Sequence, residues 1–426
     1  MQNWTPHPYQ LTAIEGMLSK PGYGLFAEPG LGKTSTTLAA FSVLKENNAA
    51  KGLLVVAPLR PCYRVWPTEI AKWADFAGLK CVVLHGPNKA AALREKADVY
   101  VINYEGLAWL EKELAGMKAW PFDVLALDES TKVKNTQTVR FKTMKRLRDR
   151  FSRVWCLTGT PAPNGIENLF GQVFMLDGGE RLGRYITHFR REYFDSVQQR
   201  WGTEWFPRPD TQARVQAKIA DITLALKAED YLKMPRKIEN RIEVELPAAA
   251  LRVYKGIEDE FFAELGSGVV TAANAAAKGM KLRQITGGAV YGTEGASGLH
   301  DAKLEALADL IEEQEGQPLL VAVQFEHEVE RIRAYLKDAA IPYLGGGVSP
   351  AKSNAIVDAW NAGEIPVLLA HPTSVAHGLN LQAGGNAVCW FSLTWNLEEF
   401  DQFNARVYRQ GQTKPVTFHY IIAVDT

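Results

Sequence analysis

From residue 23 to residue 161, short apolar runs alternate with stretches whose apolar positions recur at helical spacing. The runs are YGLFA (23–27), GLLVVAP (52–58), CVVLHG (81–86), VYVINY (99–104), DVLALDE (123–129) and VWCLTGTP (154–161). Near-continuous Val, Leu and Ile, closed by Gly, Pro, Asp or Asn, is what a strand buried on both faces of a parallel sheet requires. Between the runs, segments such as TSTTLAAFSVLKE and RVWPTEIAKWADF carry the helical period. The pattern predicts a doubly wound α/β domain, whose ligands sit at the carboxyl ends of the strands. The same alternation returns at PLLVAVQF (318–325), PYLGGG (342–347), VLLAHP (367–372), AVCWFSL (387–393) and VTFHYIIAV (416–424), which predicts a second α/β lobe.

The intervening region reads differently. NLFGQVFMLD, ITHFRREYFDSV and TQARVQAKIADITLAL carry helical patterns, with the aromatic-rich insert WGTEWFPRP between the last two. MPRKIENRIEVELP reads as a linker entering a strand, and 250–286 as helical with a loosely ordered stretch, GSGVVTAANAAAKG. The expected organisation is a first lobe at 1–165, a helical protrusion and linker at 166–235, a helical insertion at 236–295 and a second lobe at 296–426.

Charge and composition exclude several classes. The 48 Lys and Arg balance 48 Asp and Glu, so the chain is not a small basic module that holds nucleic acid by overall field, although a local basic groove remains open. Hydrophobic residues at 46% and charged residues at 23% are globular values. Cys62, Cys81, Cys156 and Cys389 lie far apart with no CxxC pair, which speaks against a disulfide framework or zinc site and fits a reducing compartment. His371 and His377 flank one loop with no third metal ligand nearby. The uncharged stretch 365–397 is broken by Pro, Gly, Asn and Gln, so it reads as two buried strands joined by a polar loop rather than a membrane span. With no signal pattern at MQNWTPHPYQ, the expectation is a cytoplasmic protein.

Nucleotide chemistry is written after the first strand, in AEPGLGKTSTT. The phosphate-loop pattern is missed by one residue, because Ala27 stands where the first Gly belongs. The rest keeps its logic: Pro29, Gly30, Leu31 and Gly32 form a loop whose backbone N–H groups can curl around phosphates. Lys33 supplies charge to the β- and γ-phosphates, and Thr34, followed by Ser35 at the helix start, a hydroxyl to Mg²⁺. DVLALDES places Asp128 and Glu129 at the end of another strand, the first to hold Mg²⁺ and the second to orient and deprotonate the attacking water. Gln10, ahead of the first helix, has an amide suited to an adenine edge. Arg406 and Arg409, three apart, are expected on one helical face, either solvated and salt-bridged or supplied across a cleft to a γ-phosphate.

Together these residues resemble the Swi/Snf family within the superfamily 2 helicase-like ATPases. The likeness runs from Tyr9-Gln10 to the final strand and is carried by EPGLGKT, VVAPLRPCYRVWPTEIAKW, INYEGL, LDESTKVKN, LTGTPAPNGIENLF, MKLRQIT, LLVAVQF, HGLNLQ and QFNARVYRQGQTKPV. The resemblance implies two RecA-like lobes with ATP in the cleft and duplex DNA across both. By it Gln10 reads adenine, Thr158, Gly159 and Thr160 couple ATP state to DNA contact, Gly378, Asn380 and Gln402 line the second lobe's side, and Arg406 and Arg409 are fingers from that lobe. Departures stand out. The acidic motif is Asp-Glu-Ser-Thr rather than Asp-Glu-Ala-His, so Ser130 and Thr131 replace a small residue and an imidazole that contacts the coupling region. Ala405 stands where the family has Asp. Relatives continue past IIAVDT into a further helix, so the chain is either a compact natural form or a cut one, and no histone-reading segment is present.

The expected function is a DNA-dependent ATPase, using ATP and Mg²⁺, that translocates on double-stranded DNA as a monomer in a bacterial or phage-infected cell. The alternatives are a strand-separating helicase on DNA or RNA, with single-stranded substrates open, and an ATP-gated DNA clamp that hydrolyses slowly. For DNA contact, 132–153 holds nine Lys and Arg and reads either as a phosphate-tracking stripe or as a solvated helix over the sheet. Arg181, Arg184, Arg190 and Arg191, among Tyr185, Phe189, Tyr193 and Phe194, read as base-stacking or as helix packing. Trp395 is either a minor-groove contact from the second lobe, as the resemblance implies, or a buried indole.

Overall fold

The fold, taken from a computed structural model, is described for residues 2–163, 165–199, 202–232, 234–260, 262–265, 268–271, 275–292, 295–375 and 379–426, with backbone alone at 199, 202, 260, 262–265, 268–271, 275 and 276. It divides into two compact units, Met1–Leu232 and Lys233–Thr426.

In the first unit seven strands form one sheet: β1 (Gly22–Ala27), β2 (Leu53–Ala57), β3 (Cys81–Val83), β4 (Val99–Asn103), β5 (Val124–Asp128), β6 (Arg153–Thr158) and β9 (Thr223–Leu226). The order is β3-β4-β2-β5-β6-β1-β9, with every pairing parallel. Strands β1, β2, β4 and β5 are buried along their whole lengths, as sheet positions covered by helices on both faces must be. Register fixes the edge that matters. Phe26 lies opposite Thr158 and Asp128 opposite Leu157, so β1, β5 and β6 deliver their carboxyl ends side by side.

The described residues of 166–232 fall within this unit. Two expected helical stretches are corrected. The helix Thr211–Ile219 stops before Thr223–Leu226, which instead pairs with β1 as the sheet edge. A four-residue apolar run satisfies either period, and the free edge of β1 decides it. Phe194–Gln199 (β7) and Gly202–Pro207 (β8), from the tail of ITHFRREYFDSV and the aromatic insert, pair as an antiparallel hairpin.

In the second unit six strands run parallel in the order β10-β19-β18-β15-β17-β16. They are β10 (Lys237–Val244), β15 (Leu319–Ala322), β16 (Tyr343–Leu344), β17 (Val367–Ala370), β18 (Ala387–Trp390) and β19 (Val416–Ala423). β10 follows β19 in register from Lys237↔Val416 to Val244↔Ala423, so the segment after 236 opens as an edge strand of this sheet. The helices Ala248–Glu260 and Ala275–Thr286 follow, with two hairpins, Phe262–Leu265 (β11) with Gly268–Thr271 (β12) and Ala289–Gly292 (β13) with Gly295–Gly298 (β14). Of the stretch expected to be loosely ordered, residues 266, 267 and 272–274 lie outside the described residues. The uncharged region divides as expected into β17 and β18, each paired to β15. Among the described residues no helix is long and apolar enough to cross a membrane. The architecture is α/β, two doubly wound parallel-sheet lobes with a helical insertion.

Candidate functional site: the nucleotide edge of the first sheet

The loop after β1 is built by its glycines. Gly30 and Gly32 hold φ of 94° and 73°, left-handed values that side chains resist, and Gly32 hands the chain to the helix Lys33–Glu46. A Cβ on Gly32 would stand 2.5 Å from Nε2 of Gln10, which shows how closely Gln10 lies on the loop. Gln10 is buried; its Oε1 accepts from the His7 N–H at 2.9 Å and its Nε2 donates to the Leu31 carbonyl at 3.3 Å. An amide held this way presents its remaining N–H and lone pair in a fixed direction. Leu31 is buried under the loop, and the Ser35 hydroxyl donates to the Gly32 carbonyl at 3.0 Å. Lys33 Nζ reaches back to the carbonyl of Ala27 at 2.5 Å, across the loop that Pro29 and Gly30 enclose. A phosphate oxygen is a stronger acceptor for an ammonium than a peptide carbonyl.

Asp128 ends β5 and is nearly inaccessible. Burial pushes its carboxyl above the usual range, while the hydrogen bond from the Trp66 indole and the positive charge of Lys33 pull the other way. Glu129, next in the chain, takes φ 53° and ψ 57°, a left-handed conformation that a non-glycine residue adopts only where its surroundings enforce it. Part of the enforcement is Tyr104, whose buried hydroxyl donates to the Asp128 carbonyl at 2.8 Å and lies 3.4 Å from that of Glu129. Burial raises the Tyr104 phenol well above its ordinary value, so it stays a donor. Thr34, half-buried on the first turn of the helix, carries a hydroxyl and Asp128 a carboxylate, each an oxygen donor of the kind Mg²⁺ takes.

The third strand end brings Thr158, Gly159 and Thr160. Thr158 is fully buried and its Oγ1 accepts from the Thr160 N–H at 3.3 Å. A Cβ on Gly159 would lie 3.1 Å from Cδ of Pro29 and 3.6 Å from the Ala27 carbonyl, so this segment rests directly on the phosphate loop. Three motifs far apart in the chain are thus assembled at one sheet edge. Trp66 and Tyr104 complete the edge by bonding to Asp128, while Gln172 bonds to Ser130 and Pro161 outside it; none of the three stands out in the sequence. Their only signal was membership of strongly patterned segments, since the partners lie 62, 24 and 42 residues away.

In the second unit, one expectation is corrected. The helix Leu397–Asn404 ends before Arg406 and Arg409, which occupy the turns that follow. Arg406 Nε donates to the Gln402 carbonyl at 2.9 Å and its guanidinium NH1 to the Leu379 carbonyl at 3.1 Å. Asn404 is pinned by the Trp390 indole at 2.9 Å. Gln402 is buried, its Nε2 donating to Glu398 at 3.2 Å, and Asn380 is exposed, its carbonyl accepting from Asn361. Arg409 is half-buried. Gly378 and His377 lie outside the described residues.

The basic segments divide by their partners. In 132–153 the helix Val139–Leu147 buries Phe141, Met144 and Leu147. Arg146 forks onto Glu111 at 2.5 and 2.7 Å, Arg148 donates to the Met175 and Leu176 carbonyls, Lys145 sits over the Phe174 ring and Arg150 over that of Trp120. Most of this stripe's C-terminal half is therefore engaged with the protein itself. Arg181 pairs with Asp177 and Asp221, and Arg190 with Glu167, while Phe189, Tyr193 and Phe194 are buried, which is helix packing. Trp395 is not buried at all in the ordinary sense: it is 79% exposed.

The chain is 37% identical over its whole length to the protein p41 of Acyrthosiphon pisum secondary endosymbiont phage 1, covering 94% of it. It is 26% identical to the CHD3-type chromatin-remodeling factor PICKLE of Arabidopsis thaliana, matching over 98% of this chain but 32% of that protein. Against the longer curated relatives the chain spans less than half their length. Among solved structures, the SWI2/SNF2 ATPase core of Sulfolobus solfataricus is 25% identical, with all of this chain and 87% of that one covered and a TM-score of 0.46. A family profile described as "Helicase conserved C-terminal domain" matches residues 302–411, and one described as "SNF2-related domain" matches residues 9–287. The chain belongs to the SNF2-related family of helicase-like ATPases.

Proposed function

We propose that this protein hydrolyses ATP in response to DNA and uses the cycle to move along the double helix. The observation that carries the reading is the meeting of Lys33, Asp128 and Glu129 at one carboxyl edge, with Gly159 against the phosphate loop. The backbone N–H groups of 29–34 receive the phosphates and Lys33 leaves the Ala27 carbonyl for a phosphate oxygen. Thr34 and Asp128 are the residues that would hold Mg²⁺, which when bound neutralises phosphate charge and relieves the cost of burying the Asp128 carboxylate. Glu129 orients a water and takes its proton as the water oxygen bonds the γ-phosphorus and the bond to the β,γ-bridging oxygen breaks. Gln10 reads the adenine edge. Gly378, Asn380 and Gln402 complete the nucleotide contacts, and Arg406 and Arg409 bring guanidinium charge to the γ-phosphate in the transition state.

Double-stranded DNA is the proposed track, and the protein acts as a monomer in the cytoplasm of a bacterial or phage-infected cell. Lys132, Lys134, Arg140 and Lys142 in the first unit and the exposed Trp395 in the second are the side chains proposed to meet it. The test is strand separation scored beside hydrolysis. Duplex-stimulated ATP turnover with displacement of a third strand from a triplex, and without unwinding of a forked duplex, supports translocation. Unwinding of the fork, or stimulation by RNA alone, supports the helicase reading instead.

A further inference from the structure

We infer that Gln172 is a positioning residue that ties the hydrolytic turn to the Thr158–Pro161 segment, so that the arrangement at the nucleotide is transmitted to the residues expected to answer to DNA. The inference rests on the ATPase reading above and names a device within it. Gln172 lies on the helix Asn168–Asp177 and is fully buried, among Leu169, Phe170, Val173 and Leu176. Its Oε1 accepts from the Ser130 hydroxyl at 2.7 Å, and its Nε2 donates to the Pro161 carbonyl at 2.6 Å and to the Asn168 carbonyl at 3.0 Å. One amide therefore joins the residue after Glu129 to the residue after Thr160.

The surroundings make the joint stiff. A Cβ on Gly171 would stand 2.4 Å from the Val133 carbonyl and 2.7 Å from that of Lys134, so helix backbone and acidic turn meet with no side chain between them. Ser130 is itself fully buried, and so is Cys156 of β6, whose thiol lies 3.6 Å from the Gln172 carbonyl. In such a setting a displaced donor finds no water to replace its partner, so the turn and the segment move together or not at all. A role confined to packing would be filled at lower cost by an apolar side chain of the same size. The joint also accounts for the Asp-Glu-Ser-Thr departure: Ser130 supplies a hydroxyl where the family has a small apolar residue, and Gln172 receives it.

The experiment compares the full chain with Gln172→Leu and Ser130→Ala, measuring thermal midpoint, ATP KM, basal turnover and duplex-stimulated turnover. The expected result for Gln172→Leu is basal turnover and KM close to wild type, with stimulated turnover down about tenfold. The doubly substituted chain is expected to lose no more stimulation than Gln172→Leu alone, since both changes break one joint. Ser130→Ala, which removes only a hydroxyl, decides the matter if Gln172→Leu does not fold: it is expected to lower stimulation by a smaller factor, with basal turnover unmoved. Equal stimulation in variants and wild type, or basal and stimulated rates falling in the same proportion, overturns the inference. A wild-type chain that duplex DNA does not stimulate overturns the functional reading and this inference with it.

Discussion

The indole Nε1 of Trp66 donates to Oδ2 of Asp128 at 3.0 Å, between a helix that follows β2 and the last residue of β5. Both side chains are buried, so this hydrogen bond carries much of the burden of keeping a carboxylate charged out of water. Trp66→Phe keeps the ring and deletes the donor. The expected outcome is a chain less stable by about 1.5–3 kcal/mol, in line with loss of a hydrogen bond to a charged group. More Mg²⁺ should be needed for half-maximal turnover, because the proton competes better for Asp128. Urea unfolding and a Mg²⁺ titration of ATPase rate check the two parts separately.

Lys33 and Glu129 should fail in different ways. Lys33→Ala removes the charge opposite the phosphates, and both nucleotide affinity and turnover are expected to be lost. Glu129→Gln preserves shape and takes away the base, so ATP should bind and remain uncleaved, with turnover down at least about 10²-fold. Equilibrium binding of a fluorescent ATP analogue, set beside single-turnover hydrolysis, separates the two.

Arg409→Ala addresses the second unit. If its guanidinium stabilises charge that appears only in the transition state, turnover falls by about 10³-fold or more while ATP affinity stays within a few-fold of wild type. An unchanged turnover would remove Arg409 from the reaction.

The central strands were legible because a strand buried on both faces must be written as an unbroken apolar run, as in Leu53–Ala57 and Val124–Asp128. What escaped was whatever depended on a remote neighbour. Thr223–Leu226 is a strand because β1 offers it an edge, which four residues of sequence do not announce. The segment FNARVYR contains no Gly or Pro to stop a helix, yet the helix ends at Asn404, held by Trp390, and Arg406 is drawn to the Leu379 carbonyl. The phosphate loop and the acidic pair were legible as motifs. The bonds that orient them, from Trp66 across 62 residues and Ser130 to Gln172 across 42, were not.

The second unit should be acid-sensitive through His327. Its ring is 2% exposed, neither ring nitrogen has a hydrogen-bond partner among the described residues, and burial with the nearby charge of Arg331 pushes its pKa down to about 4. The unfolded chain, with an ordinary histidine near 6.5, then binds the proton first. The contribution to stability is complete above about pH 6.5 and is lost as pH falls through 4. Between pH 7.5 and 5 this one group accounts for about 2 kcal/mol of destabilisation, by linkage. His327→Phe, which keeps a ring stacked on Phe325, should flatten that part of the curve, and urea midpoints at the two pH values measure it.

The central claim is that hydrolysis at Glu129 answers to the DNA double helix. Steady-state ATP turnover, measured with no nucleic acid, with single-stranded DNA, with blunt duplex DNA and with structured RNA over a salt series, tests it most directly. Strong stimulation by duplex DNA, weakening steeply as salt rises, is the predicted result. A rate that duplex DNA leaves unchanged while RNA or single strands raise it would contradict the account.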